Sequence, residues 1–160
     1  REWRAVMSES LADYLGQVPI FSNLTLPELQ TIEKYMFFNK VELGELVFKE
    51  GEKGDYVCFV MHGALDVIKL NQHAQPVVIT TLAKGSSIGE MALIDKLTRS
   101  ASVRACTTSG LIVLTRKGFE MILKLHPEIG IKILKGISSL LSINLRKTSD
   151  KLAEFMPPLA

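Results

Sequence analysis

Within the stretch Ser86–Ala105, SSIGEMALIDKLTRSASVRA, a carboxylate, an arginine and a run of small residues stand close enough to share one piece of chemistry. Arg99 carries a planar fork of N–H donors that grips a phosphate through two parallel bonds. Ser100, Ala101 and Ser102 follow it, small enough to let their backbone N–H groups reach the same oxygens. Upstream, Gly89-Glu90-Met91-Ala92-Leu93-Ile94 reads as one or two turns of helix. The open N–H groups at the start of such a turn suit an anion. Glu90 beside an anion is at odds with charge complementarity, unless the ligand carries hydroxyls next to its phosphate for the carboxylate to accept from. The pattern is therefore an anion pocket with a hydroxyl acceptor. The alternative is an exposed Glu90–Arg99 pair on a hairpin, worth under ~1 kcal/mol.

Other chemistries find no support. His62, His73 and His126 lie on a strand end, a loop and a helix end without metal-ligand spacing. Ser86-Ser87 lacks the nucleophile-elbow pattern, and Gly85–Gly89 is too short and lacks the lysine of a P-loop. No catalytic residue, metal ligand or cofactor is expected. Cys58 and Cys106 sit in apolar runs with no CxxC and read as buried thiols.

The rest of the chain must position the pocket. At 160 residues, 47% hydrophobic and 22% charged, it suffices for one domain with an extension. A net charge of +2 gives no field that would draw nucleic acid. No apolar run approaches the ~18 residues of a membrane span and no signal peptide opens the chain, so a soluble cytoplasmic protein is expected. Residues 4–16 suggest a short amphipathic helix stopped by Gly16, and the capping box Thr25-Leu-Pro-Glu28 starts a helix through about Met36. From Phe37 the period changes to two. Short strands are expected at Phe38–Leu43, Glu45–Lys49, Tyr56–His62, Ala64–Leu70, Val77–Leu82, Ala101–Cys106 and Leu111–Thr115. Glycine turns separate them, with Gly51 and Gly54 placed where positive φ is expected, and such spacing gives a sandwich or barrel.

Arg116–His126 reads as a helix whose basic start is unfavourable to its dipole, leaving it to rely on packing. Pro127 opens a longer helix to about Glu154, in which Gly130 and Gly136 each cost roughly 1 kcal/mol relative to Ala. The Pro127 junction is either a hinge or an ordinary corner. The long helix carries a stripe of Leu134, Ile137, Leu141, Leu145, Thr148, Leu152 and Phe155. That stripe suits a parallel homodimer seam or packing back onto the chain's own barrel.

Gly89-Glu90-Met91-Ala92-Leu93, the spacer Ile94–Thr98 and Arg99-Ser100-Ala101-Ser102 together resemble the phosphate-binding cassette of cyclic nucleotide-binding domains. The Arg-Ser pairing is most similar to the bacterial catabolite-activator branch. Pro19-Ile-Phe-Ser-Asn-Leu24 before the capped helix, and the order Gly44, Gly51-Glu-Lys-Gly54-Asp55, Gly63, resemble that family's lead-in and glycine framework. The resemblance implies a mainly β fold with flanking helices: a double-stranded β jelly roll over 37–115, a helical lead-in over 1–36, and C-terminal lid or dimerisation helices over 116–160. It implies that Glu90 takes a ribose 2′-OH, that Arg99 takes the cyclic phosphate, and that N–H groups near Ala92, Ser100 and Ala101 complete the cradle. Gly89, Met91 and Ser102 belong to the same cassette. In that branch a Thr-Ser pair on the long helix meets the base. Here Thr148-Ser149 lies about one turn further along, so Asn144 or Ser142 is an alternative contact. The implied ligand is cAMP, with cGMP open because the Ser100 hydroxyl can face a guanine amino group. The expectation is a regulatory, non-enzymatic, homodimeric binding module. A ligand-free interaction domain and the sensor part of a transcription regulator are the alternatives; no helix-turn-helix follows the long helix before Met156-Pro-Pro-Leu-Ala160, so this chain is not itself expected to bind nucleic acid.

Overall fold

Period-two patterning produces eight strands in the computed structural model, which describes residues 10–160. They are β1 Phe37–Val41, β2 Leu46–Phe48, β3 Tyr56–His62, β4 Leu65–Leu70, β5 Pro76–Leu82, β6 Ser87–Ile88, β7 Ser102–Ala105 and β8 Ser109–Thr115. Two antiparallel four-stranded sheets result, ordered β1-β8-β3-β6 and β2-β7-β4-β5, the jelly-roll arrangement. β3 and β8 are buried almost throughout, as a continuous apolar run requires when both faces are covered. Alternate residues serve two cores. Cys58, Val60, Leu111 and Val113 point between the sheets with Phe48, Leu65, Val67 and Val103. Val57, Phe59, Met61, Ile112 and Leu114 face a layer of helices. Cys58 is the buried thiol expected, its pKa pushed up by burial to about 12, while Cys106 is half-buried. β6 was not expected, because a two-residue strand carries no alternation; it pairs Ile88 with Cys58 and Ser87 with Phe59.

The lead-in is helical where it is described. Helix α1 spans Leu11–Leu15, capped by the Ser10 hydroxyl on the Asp13 N–H, and the portion expected over residues 4–9 lies outside the described residues. Its Tyr14 is fully buried and donates its hydroxyl to the Val60 carbonyl of β3. Helix α2, Leu26–Ile32, has both bonds of the capping box, Thr25 N–H to Glu28 Oε1 at 2.9 Å and Glu28 N–H to Thr25 Oγ1 at 3.4 Å. Instead of continuing to Met36, it tightens into a 3₁₀ turn at Glu33–Tyr35, and Met36 is already extended.

Helices α3, Arg116–Leu125, and α4, Pro127–Phe155, meet at the proline. The expected stripe of α4 divides in two. Ile137 is buried in the helical core and Leu134 and Leu141 pack against it, beside Ile129 and Ile133 from outside the stripe, whereas Leu145, Leu152 and Phe155 are 70%, 58% and 84% exposed. The glycines of α4 answer to close packing. A Cβ on Gly136 would lie 2.0 Å from the Ile20 carbonyl oxygen in the 3₁₀ turn Pro19–Phe21, and one on Gly130 would meet Leu123 Cδ2 at 2.5 Å. Each isoleucine that this approach buries is worth about 1.5–3 kcal/mol, more than the ~1 kcal/mol that helical glycine costs. Glu28 Oε1 accepts from Lys132 Nζ at 2.7 Å, joining α2 to α4, and that bond holds the Glu28 carboxyl below its ordinary pKa. No helix among the described residues is long and apolar enough to cross a membrane. Gly136→Ala is expected to lower stability by about 1–3 kcal/mol in denaturant titration, against the ~1 kcal/mol gain that the same change brings in an open helix. An unchanged or raised midpoint would show that α4 does not need to touch the Ile20 backbone.

Candidate functional site

β6 ends in a sharp turn. Gly89 takes φ +82°, a left-handed conformation that disfavours side chains, and a 3₁₀ turn covers Glu90–Leu93 in place of the expected α-helical start. The Ala92 N–H is donated to the Gly89 carbonyl at 3.0 Å, within the turn. Behind the turn, the β2–β3 loop grips the arginine's backbone: Arg99 N–H donates to Glu52 O at 2.7 Å and Gly51 N–H to Arg99 O at 2.9 Å. These contacts bring Gly89–Ala92 and Arg99–Ala101 to the wall of one concave space of about 530 Å³, counted to its open mouth. Phe48, Val67 and Ile88 supply an apolar floor, and Leu97 and Met91, 72% and 44% exposed, stand at the rim.

Arg99 is only 6% exposed and Glu90 8%, which rules out the exposed surface pair. Among the described residues no ion pair joins them. Arg99 Nη2 donates to the Tyr56 carbonyl at 2.8 Å and Nη1 reaches Gly89 O at 3.5 Å, while Nε is buried without a partner. The guanidinium carbon lies 3.9 Å from the Phe48 ring centroid and 4.7 Å from that of Tyr56. Gly54 lets it pass: a Cβ there would lie 2.2 Å from Arg99 Nε. This corrects the expectation that Gly54 needs positive φ, a role that falls to Gly51 at +86°. Burial pushes the Glu90 carboxyl pKa up, partly opposed by a hydrogen bond from its own backbone N–H. A guanidinium and a carboxylate, both desolvated and facing one cavity, are groups that a ligand with an anion and hydroxyls would satisfy.

Ser100 and Ala101 line the space with Arg99. Ser102 stands apart from it, its hydroxyl accepting from Glu50 N–H at 2.9 Å. Asn144 lies elsewhere, in a second concavity with Gln17, Lys84 and Leu140, and Thr148 donates its hydroxyl to the Asn144 carbonyl at 2.9 Å within α4. Thr148 and Ser149 are exposed and do not line the pocket. Arg116 was underrated by the expectation that its helix relies on packing alone. Its side chain donates to Ala92 O, Gly54 O and Asp95 O, each at 2.8 Å, so the first residue of α3 holds the cassette turn and the β2–β3 loop together. The Thr115 hydroxyl caps the same helix on Gly118 N–H at 3.0 Å. The roles of Phe48, Tyr56 and Arg116 were missed because apolar strand ends and a basic helix start look ordinary one residue at a time.

The family model described as the cyclic nucleotide-binding domain matches residues 38–126, from β1 through α3. The chain is 36% identical over 105 residues to a cGMP-dependent protein kinase of Plasmodium berghei, covering 66% of this chain and 12% of that protein. It is 36% identical over 112 residues to a cAMP-dependent protein kinase regulatory subunit of Blastocladiella emersonii, covering 70% of this chain and 28% of that one. It thus spans well under a third of either relative. The crystal structure of a cyclic nucleotide-binding domain from Methylobacillus flagellatus superposes with a TM-score of 0.82 at 26% identity, covering 93% of this chain and 84% of that one.

Because its pKa is raised in the fold, Glu90 favours folding below the ordinary carboxylate pKa, and that contribution is lost as pH rises through the raised value. Glu90→Gln should therefore raise the thermal midpoint of the ligand-free protein at pH 7, with the gain closing below pH ~4.3. A lowered midpoint at pH 7 would mean the carboxylate already has a stabilising partner.

Proposed function

Given that the chain belongs to the cyclic nucleotide-binding domain family, we propose that it is a regulatory module binding a 3′,5′-cyclic nucleotide, cAMP foremost, between Glu90 and Arg99. The observation that carries this reading is the pair of buried, mutually unpaired charges on one cavity. Arg99 takes the phosphate while remaining anchored on Tyr56 O, and Ser100 and Ala101 close around it. Glu90 accepts from the ribose 2′-OH. A ligand lacking that hydroxyl leaves the carboxylate desolvated and unpaired, which is the basis of discrimination. Ser100 following Arg99 favours the catabolite-activator arrangement within the family.

The signal travels through Arg116. Ligand drawing on Glu90 and Arg99 shifts the cassette turn, and the three carbonyls held by Arg116 carry the shift into α3 and α4. The equilibrium moves only by the ligand's differential affinity for the two states. The outer half of α4, exposing Leu145, Leu152 and Phe155, is the homodimer seam. Repacking of that half brings Asn144, Thr148 or Ser149 within reach of the base.

Calorimetric titration with cAMP and cGMP is expected to give micromolar or tighter binding, weakened roughly 100-fold or more in Arg99→Ala, since charge-assisted bonds are worth ~1.5–3 kcal/mol each. Relatives of both the cGMP- and cAMP-dependent kinds match, so the ratio of the two affinities assigns the base. No heat with either nucleotide at millimolar concentration would overturn the reading. Sedimentation should show a dimer that becomes monomeric in Leu145→Asp/Leu152→Asp; a wild-type monomer with and without nucleotide would remove the seam.

A further inference from the structure

The Arg99 guanidinium is held by two aromatic side chains, of which Phe48 lines the cavity and Tyr56 does not. The guanidinium lies in an aromatic slot, 3.9 Å above the Phe48 ring centroid and 4.7 Å from that of Tyr56. The two rings come from different sheets, Phe48 ending β2 and Tyr56 opening β3. They hold one another edge-on at 6.3 Å, and the Tyr56 hydroxyl donates to the Val47 carbonyl at 3.0 Å, tying β3 back to β2. The quadrupole of an aromatic face attracts a cation, more strongly where water is excluded, and Arg99 is buried. Both the Tyr56 ring and the Tyr56 carbonyl thus act on one guanidinium.

We propose that Tyr56 is a positioning residue for nucleotide binding, its ring and that of Phe48 fixing the Arg99 guanidinium in place before the phosphate arrives. This rests on the nucleotide-binding reading above. Phe48 also lines the cavity, so its loss would alter direct ligand contact, whereas Tyr56 does not line it and acts through Arg99 and through the Phe48 ring it packs against. Prior fixing matters because a free arginine side chain loses rotamer freedom on binding, which an ordered one has already lost. The same slot spares a buried cation the need for an acidic partner, leaving its charge available to the phosphate.

The test combines affinity with a spectroscopic signature. In ligand-free wild-type protein, the Arg99 side-chain protons should be displaced upfield in NMR spectra by the ring currents, and Tyr56→Leu should remove part of that displacement. Tyr56→Leu should weaken cAMP or cGMP binding roughly three- to tenfold, while Tyr56→Phe, which keeps the ring and loses only the bond to Val47, stays within about twofold. Tyr56→Ile, a β-branched residue suited to a strand, replaces Tyr56→Leu if that variant does not fold. Wild-type affinity in a folded Tyr56→Leu protein would overturn the proposal, as would equal losses in Tyr56→Leu and Tyr56→Phe, or an absent ring shift. Failure of the nucleotide reading looks different: wild-type protein would bind neither nucleotide while its Arg99 protons still carry the ring shift, overturning the role and leaving the slot.

Discussion

Two opposite charges, buried against the same cavity and not paired with one another, are the constraint around which this molecule is arranged. Arg99 and Glu90 would each lose solvation on folding, and direct pairing would be the simplest compensation. The fold withholds it. A left-handed glycine and a 3₁₀ turn place Glu90 on one wall, while two carbonyls and two aromatic rings hold Arg99 on another. The stability given up there is offset by the double core, where the alternating residues of β3 and β8 are buried on both faces. Buried polar groups that nothing else has satisfied are those from which a ligand gains most.

The cassette was legible because its chemistry is local: glycine, glutamate, a spacer and arginine sit within one short stretch, and the structure brings them to one cavity. Strands β1–β5, β7 and β8 were legible from alternation. What stayed hidden depended on contacts distant in sequence. Gly54 looked like a turn glycine and proves to be the gap through which a side chain 45 positions later passes. Gly136 looked like a helix-weakening residue and proves to be the place where α4 touches the Ile20 backbone. The α4 stripe looked like one seam because hydrophobic period is blind to what lies opposite; the structure covers its first half and leaves the second exposed. The Thr148-Ser149 pair, a base contact only by resemblance and already one turn out of place there, falls on the exposed half.

Arg116 explains why pocket and helices belong to one mechanical unit. Three carbonyls from two loops converge on its guanidinium, so the cassette turn cannot move without disturbing the start of α3. α3 in turn abuts α4 through Leu123 and Gly130, a contact with no room for an added methyl group. Close packing of this kind transmits small displacements because it does not absorb them.

The split of α4 has a mechanical corollary. Its inner half is fixed to the body of the protein by Ile129, Ile133 and Ile137, with Leu140 and Leu141 packed against the same core, and the arm beyond Leu141 runs to Phe155. At 1.5 Å per residue that arm is roughly 21 Å long, so a tilt of only about 10° at its root would sweep the tip through about 4 Å. A small rotation where the helix is held would thus become, at the far end of a lever, a displacement of several ångströms.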